Sequence, residues 1–251
     1  MMVRLKVIGN YISPYVRKVL ACLELKQLEY EVDPIAPFVG NDAFTRLSPL
    51  RRIPVLIDDG VVINDSSVIC QYLEDRHPSP ALYPRDIADR ARARWLEEYA
   101  DTHLADVLVW RLFYQRAIRR HVFHEPADEA VVQRTLETDI PAALDYLETQ
   151  LPQEGFLFGF GSLTVADIAI ASCFRTASFV RYQIDPDRWP ATAAFVAQVL
   201  AEPALVKLAG YEDAMLRMPL AEQRAALLAA GAPLSSDTLG TDPPRHGLPR
   251  G

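Results

Sequence analysis

The chain is poor in the residues that build stapled or metal-bound folds. It has only three cysteines, Cys22, Cys70 and Cys173, far apart in sequence and without a CxxC pair. That spacing excludes a zinc ribbon, a dithiol redox centre and a disulfide framework. Eleven glycines in 251 residues rule out a collagen-like repeat, and 50% hydrophobic residues rule out a wholly disordered chain. No charge-free apolar run approaches the roughly 18 residues that a membrane helix requires. Arg4, Lys6 and Pro14 stand where a secretory signal would be apolar, so the expected compartment is the cytoplasm and no membrane partner is expected. There is no excess of positive charge either. A net charge of −7 argues against nucleic acid as a partner, because sequence-independent binding depends on a basic surface that neutralises phosphates.

What is present changes character near residue 80. Strand pattern at Val3–Gly9 gives way to Val16, Val19, Leu20 and Leu23 on one face of a helix over 14–26, then to strand composition over 28–32. Two further strands, 54–57 and 61–63, flank Asp58-Asp59-Gly60, an Asp-Gly hairpin signal, and lead into a helix over 66–75. Val68, Ile69, Tyr72 and Leu73 are expected on its packed side. The order is β-α-β, a segment without clear pattern, then β-β-α. Residues 78–86 hold three prolines and read as a linker. Beyond them helices are expected over 87–120, 127–150, 164–182, 189–201, 203–217 and 219–230. The start Thr164-Val165-Ala166-Asp167 is a capping-box relative, with Leu163 and Ile168 as its staple. The division expected is therefore 1–77, a linker 78–86, a helical domain 87–232 and a tail 233–251. Ser235–Gly251 has two leucines as its only sizeable apolar residues, too little to order itself, so it is expected to be disordered or loosely draped.

Three segments have the residue types of an anion site, and each has a plainer reading beside it. Ser13 precedes Pro14 at the start of the first helix, where its hydroxyl caps the helix or donates to an anion held there; one hydroxyl can do both. Arg51 and Arg52, before Ile53-Pro54, form a solvated loop face or an anion contact. Asp65 and Ser66 open another helix, as caps or as an anion pocket. Gly159-Phe160-Gly161 lacks the third glycine of a dinucleotide loop and reads as a loop. His121, His124 and Glu125 fit on one helical turn but lack a further ligand at suitable spacing, so no metal is expected. Trp95, Tyr99, Trp110, Phe113 and Tyr114 read as packing between helices, with some available to line an apolar cleft.

Together these segments resemble the glutathione transferase family over roughly Val3 to Tyr211. Ser13-Pro14-Tyr15-Val16-Arg17-Lys18-Val19 resembles its serine-type signature, and Arg52-Ile53-Pro54-Val55-Leu56 its cis-proline strand. Asn64-Asp65-Ser66-Ser67 is similar to its Glu-Ser turn, and Thr164–Asp167 to the capping box of its core helix. The resemblance implies an α/β thioredoxin-like N-terminal domain, an all-α helical bundle C-terminal domain and a homodimer. It also implies glutathione as cosubstrate and no metal. Ser13 would donate to the glutathione sulfur, with Tyr11 as a rival hydroxyl. Ile53, presented by a cis Pro54, would pair with the tripeptide backbone. Asp65 would take the γ-glutamyl ammonium, Ser66 its α-carboxylate and Arg52 the glycyl carboxylate. Tyr15, Trp110 and Tyr114 would face a small electrophilic, peroxide or thiol substrate in a detoxification role. A binding or regulatory protein of the stringent-starvation type is the alternative on the same fold. Two positions depart from the family: Arg51 stands where it usually has glycine, and Asp65 is one methylene shorter than the usual glutamate.

Overall fold

The computed structural model describes residues 5–159, 161–216, 218–241 and 243–244. They form two compact units, one of 1–80 with 203–251 and one of 81–202. Val3, Phe160 and the last residues of the tail, on which parts of the sequence reading fall, lie outside the described residues.

The first unit is built on a four-stranded sheet in the order β2-β1-β3-β4. β1 (Leu5–Ile8), α1 (Pro14–Leu25) and β2 (Tyr30–Asp33) form a crossover that leaves β1 and β2 parallel. Leu5, Val7 and Ile8 are buried, as are Val16, Val19, Leu20 and Leu23 on the expected face of α1. A short helix that the sequence pattern did not reveal, α2 (Asp42–Leu47), follows β2. Asn41 caps it by accepting the Phe44 N–H at 3.1 Å. β3 (Val55–Asp58) runs antiparallel to β1 and pairs with β4 (Val61–Asn64). Asp59 and Gly60 turn the chain with φ of +49° and +83°, both in the left-handed region that a two-residue hairpin of this twist requires.

α3 (Ser66–Arg76) then lies beside α1. Lys18 Nζ donates to Ser67 Oγ at 3.1 Å, the Cys22 and Cys70 sulfurs are 3.5 Å apart, and Lys26 Nζ donates to Glu74 Oε2 at 2.7 Å. Each step advances about one helical turn on both helices, so α1 and α3 run in the same direction with their N-termini at one end. Ile69 and Leu73 are buried as expected and Cys70 is buried beside them, whereas Tyr72 is half-buried and Val68 is 55% exposed. The contact with α1 lies along Ser67, Cys70 and Glu74, one residue round the helix from the face that hydrophobicity alone selects.

The second unit is helical. α4 (Ile87–Tyr99) continues through the wide π-type turns of Ala100–Ile118 into α5 (Arg119–His121), and Arg119 N–H reaches back five residues to the Tyr114 carbonyl. α6 (Glu129–Arg134) passes through similar turns at Thr135–Asp139 into α7 (Ile140–Glu148). α8 (Val165–Ser178) is buried all round except at Arg175 and Ser178, the burial expected of a central helix. Its capping box is formed as the sequence reading expected. Burial pushes the Asp167 carboxyl up to about 6, even though its oxygens accept the Leu157 and Thr164 N–H groups at 2.9 and 2.8 Å and the Thr164 hydroxyl. α9 (Pro190–Leu200) opens after Trp189, which offers no local cap. Glu148, at the end of α7, supplies one from 43 residues away, accepting the Ala191 and Thr192 N–H groups at 2.7 and 2.8 Å and the Thr192 hydroxyl at 2.6 Å. Partial burial raises the Glu148 pKa, but these three bonds outweigh it and hold the carboxyl below its ordinary value.

Two expectations about the C-terminal region are revised. α10 (Pro203–Leu216) and α11 (Gln223–Ala229), read from sequence as part of a helical domain 87–232, group with the sheet unit. The reason is a set of bonds from α10 to α1. Arg17 Nε donates to Glu212, both side chains 1% exposed, and Lys207 Nζ donates to Glu24 at 2.9 Å. The described part of the tail is not loosely draped either. Leu234 bridges Val32 in parallel, with Val32 N–H on the Pro233 carbonyl at 2.8 Å and Ser235 N–H on the Val32 carbonyl at 2.9 Å. Composition misled here because the segment is held by the unpaired edge of β2 rather than by its own apolar surface.

Candidate functional site

The site is assembled at the shared N-terminal end of α1 and α3. Ser13 is the N-cap of α1 (φ −72°, ψ 129°), with Pro14 behind it at the first helical position. Its Oγ accepts the Val16 N–H at 3.5 Å, a long bond, and its own O–H has no acceptor among the described residues. Gly9 brings the neighbouring loop close. A Cβ on Gly9 would lie 2.5 Å from Val16 Cγ2 and 3.3 Å from Ile53 Cβ, so only glycine lets Ile53 approach the start of α1 this closely, and φ of +155° excludes other residues independently.

The Ile53–Pro54 bond is cis, as the resemblance implied. Neither the N–H nor the C=O of Ile53 is used by a hydrogen bond among the described residues. Immediately after Pro54 the chain enters β3, and the register Val55↔Asn64 sets Pro54 beside Asp65. Asp65 caps α3 by accepting the Ser67 and Val68 N–H groups at 2.9 and 3.3 Å, both on Oδ1, and Oδ2 accepts no bond among the described residues. Its φ of +76° is strained for a residue with a side chain, a cost of about 1–3 kcal/mol of the kind found at ligand clamps. Ser66 is 4% exposed, and neither its hydroxyl nor its N–H is engaged by a hydrogen bond among the described residues.

Electrostatically the end is positive. The N-termini of two helices lie there, each worth about half a unit positive charge, and the exposed Arg52 guanidinium makes no bond among the described residues. Counting from the Lys18–Ser67 contact, Ser13 lies about one and a half turns up α1 and Asp65 about half a turn up α3. The end is therefore stepped, with Ser13 on the higher tread.

The structure separates the two candidate hydroxyls. Tyr11 is 1% exposed, packs edge-on against Tyr211 with ring centroids 5.5 Å apart, and has a phenol oxygen without a hydrogen-bond partner among the described residues. Burial, then the neighbouring Tyr211 and Glu24, push its pKa far above the ordinary phenol range. Ser13, half-buried, is the hydroxyl that a ligand can reach. Tyr15 follows on α1 in the same unit and is half-buried. Trp110 and Tyr114 belong to the second unit, where they form an aromatic pair with centroids 5.9 Å apart. Of the other aromatics, Tyr99 and Phe113 are buried while Trp95 is 52% exposed, its indole N–H on the Tyr146 hydroxyl at 2.8 Å.

Arg51 explains its own departure from the family. Its φ is +48°, the left-handed conformation for which glycine is the usual residue. The guanidinium donates to Thr45 Oγ1 at 2.6 Å and to the Gly40 and Pro37 carbonyls at 2.8 and 2.9 Å, and it lies over the Phe44 ring. It builds the loop instead of contacting a ligand. The three cysteines are buried and in no disulfide, and none lies in the Ser13 turn. Among the described residues no group of three or more His, Cys, Asp or Glu could hold a metal ion. No single described helix is long and apolar enough to cross a membrane.

Known proteins with this sequence pattern point the same way. Residues 7–81 match the glutathione S-transferase N-terminal domain and residues 114–210 the C-terminal domain. The chain belongs to the glutathione S-transferase family. It is an enzyme of that type. The GST-like protein YibF of Escherichia coli is 31% identical over 178 residues, 70% of this chain and 84% of the relative. A glutathione S-transferase from Rhodospirillum rubrum superposes with a TM-score of 0.73 at 26% identity, covering 81% of this chain and 91% of that one. One from Methylobacterium radiotolerans, solved with glutathione sulfonate, gives 0.67 at 27% identity over 81% and 93%. The α/β thioredoxin-like unit and helical bundle implied by sequence are thus the fold of this family.

Proposed function

We propose that the chain binds glutathione at the stepped end of α1 and α3 and stabilises its thiolate for attack on a small electrophilic, peroxide or thiol substrate. The observation that carries this is the Ser13 hydroxyl, accepting a weak cap bond and left with a free proton at a positive helix end, beside the unpaired backbone of Ile53. A free thiol of pKa about 8.5 is only a few per cent ionised at pH 7, and lowering it by two units needs roughly 2.7 kcal/mol of preference for the thiolate. A charge-assisted O–H···S⁻ contact together with a helix dipole is of that order. The cysteinyl backbone would add to Ile53 as an extra strand. Arg52 would hold the glycyl carboxylate, Asp65 Oδ2 the ammonium, and the Ser66 hydroxyl and N–H the α-carboxylate. The nucleophile is then the thiol of the cosubstrate and not a protein group. Tyr15, which follows Ser13 on α1 in the same unit, is proposed to contact the second substrate.

Calorimetric titration tests the reading. Glutathione should bind the wild type, and Arg52→Ala should weaken binding about tenfold through one lost charged contact. Absence of binding at millimolar glutathione would leave the binding or regulatory alternative in possession.

The enzyme is further proposed to be a cytoplasmic homodimer. Support comes from Val61 and Val62 on β4 and Val68 on α3, which leave 50%, 40% and 55% of their apolar side chains exposed on the first unit. Sedimentation at micromolar concentration should give about 56 kDa, twice the chain mass of 28.1 kDa. A single 28 kDa species would refute the dimer.

A further inference from the structure

The segment from Pro233 to Thr241 pairs with β2 and then makes a chain of contacts that ends at Arg52. Beyond the bridge to Val32, Leu239 N–H donates at 2.7 Å to Oδ2 of Asp33, a fully buried carboxylate. The other Asp33 oxygen lies 3.8 Å from the Arg224 guanidinium, which itself donates to the Ser235 carbonyl. A buried carboxylate needs partners, and here the tail supplies one and the helix before it another.

The contacts continue into the site loop. The Leu239 carbonyl accepts the Asn41 N–H at 2.8 Å, and Asn41 is the cap of α2. The Leu239 side chain packs on the cluster of Ile8, Ile35, Phe44 and Val55, the same cluster that receives Ile53. Phe44 lies under Arg51, whose guanidinium ties Thr45, Gly40 and Pro37 together. The next residue, Arg52, exchanges two bonds with Ser48 at the end of α2: its N–H donates to Ser48 Oγ at 2.9 Å, and that hydroxyl donates to the Arg52 carbonyl at 2.8 Å. The fit of the segment is close. A Cβ on Gly240 would stand 2.5 Å from Ile35 Cγ2.

We propose that this C-terminal segment is a positioning strap that fixes the loop carrying Arg52 and Ile53, with Leu239 as its anchor. Its effect on ligand affinity rests on the glutathione reading above; its effect on the loop does not. Among the described residues the strap makes no hydrogen bond or ion pair to Ser13, so it sets how firmly the tripeptide is held and leaves thiolate stabilisation alone.

The test uses full-length Leu239→Ala, Gly240→Val and Leu239→Met, with three readouts. In the free protein, amide exchange over residues 41–53 should speed up about tenfold in the first two variants and stay near wild type in the third. Glutathione affinity should fall about tenfold in the first two and be kept by Leu239→Met, while the pKa of bound glutathione stays at the wild-type value in all three. A change in that pKa would show that the segment acts on the whole unit and would overturn a positioning role. Unchanged exchange over 41–53 in both Leu239→Ala and Gly240→Val would overturn the strap itself. If the wild type binds no glutathione while exchange responds as expected, the glutathione reading fails and the strap stands.

Discussion

Ser13→Ala should raise the pKa of bound glutathione by about one to two units, cutting thiolate at pH 7 by up to about 25-fold, while costing at most about 1 kcal/mol of stability. The two effects separate because of the geometry. The cap bond to Val16 is 3.5 Å long and Pro14 already fixes the first turn, so little helix stability depends on the hydroxyl. The outward O–H carries the chemistry. Ser13→Asp sharpens the contrast. An aspartate caps well but, once ionised, has no proton to donate and sets a negative charge against the sulfur, so stability should hold and thiolate formation should fail. Asn keeps an N–H donor and should retain part of the effect. Thiolate absorbance of bound glutathione against pH, measured in all three variants, checks the series. Ionisation in Ser13→Asp as easy as in wild type would reduce Ser13 to a cap and leave the helix end to do the work, since Tyr11 is buried with its proton held tightly.

Local signals in the sequence were informative where a residue's role depends on its neighbours in the chain. The Asp59-Gly60 hairpin, the Thr164–Asp167 capping box, the Ser13-Pro14 start and the Asp65 cap are all decided within four residues, and all are present. What was hidden depends on partners far away in sequence. Glu148 caps α9 from across 43 residues, and nothing around Trp189 announces it. The strap looked too polar to order because Leu239 and Ser235 find their partners at Asn41 and Val32, about 200 residues earlier. Arg51 read as a departure from a glycine motif, yet its left-handed backbone keeps what the glycine provided and its side chain adds three loop bonds. In the site itself, residue types were legible from the resemblance. Their juxtaposition was not: that Ser13 and Ser66 share one end follows from the Lys18–Ser67, Cys22–Cys70 and Lys26–Glu74 contacts, a polar and sulfur-lined seam that hydrophobic periodicity does not select.

The second large effect is expected at a residue remote from any ligand. Glu212→Ala should destabilise the protein by about 3–5 kcal/mol, because it leaves the Arg17 guanidinium, 1% exposed, without the carboxylate that its Nε meets. For a chain of this size that corresponds to a fall in melting temperature of roughly 6–20 °C. The pair joins α10 to α1, and Arg17 stands one turn below Ser13, with its N–H on the Ser13 carbonyl at 2.9 Å. A charge rather than an apolar contact at this spot is costly to bury, so its replacement by a matched apolar pair is the informative control. Arg17→Met with Glu212→Leu fills similar volume without burying charge and should recover most of the lost stability, whereas either single apolar change should not. Thermal unfolding of the two singles and the double gives the coupling energy directly. A Glu212→Ala protein that melts with the wild type would show that the buried pair contributes nothing to holding α10 on α1.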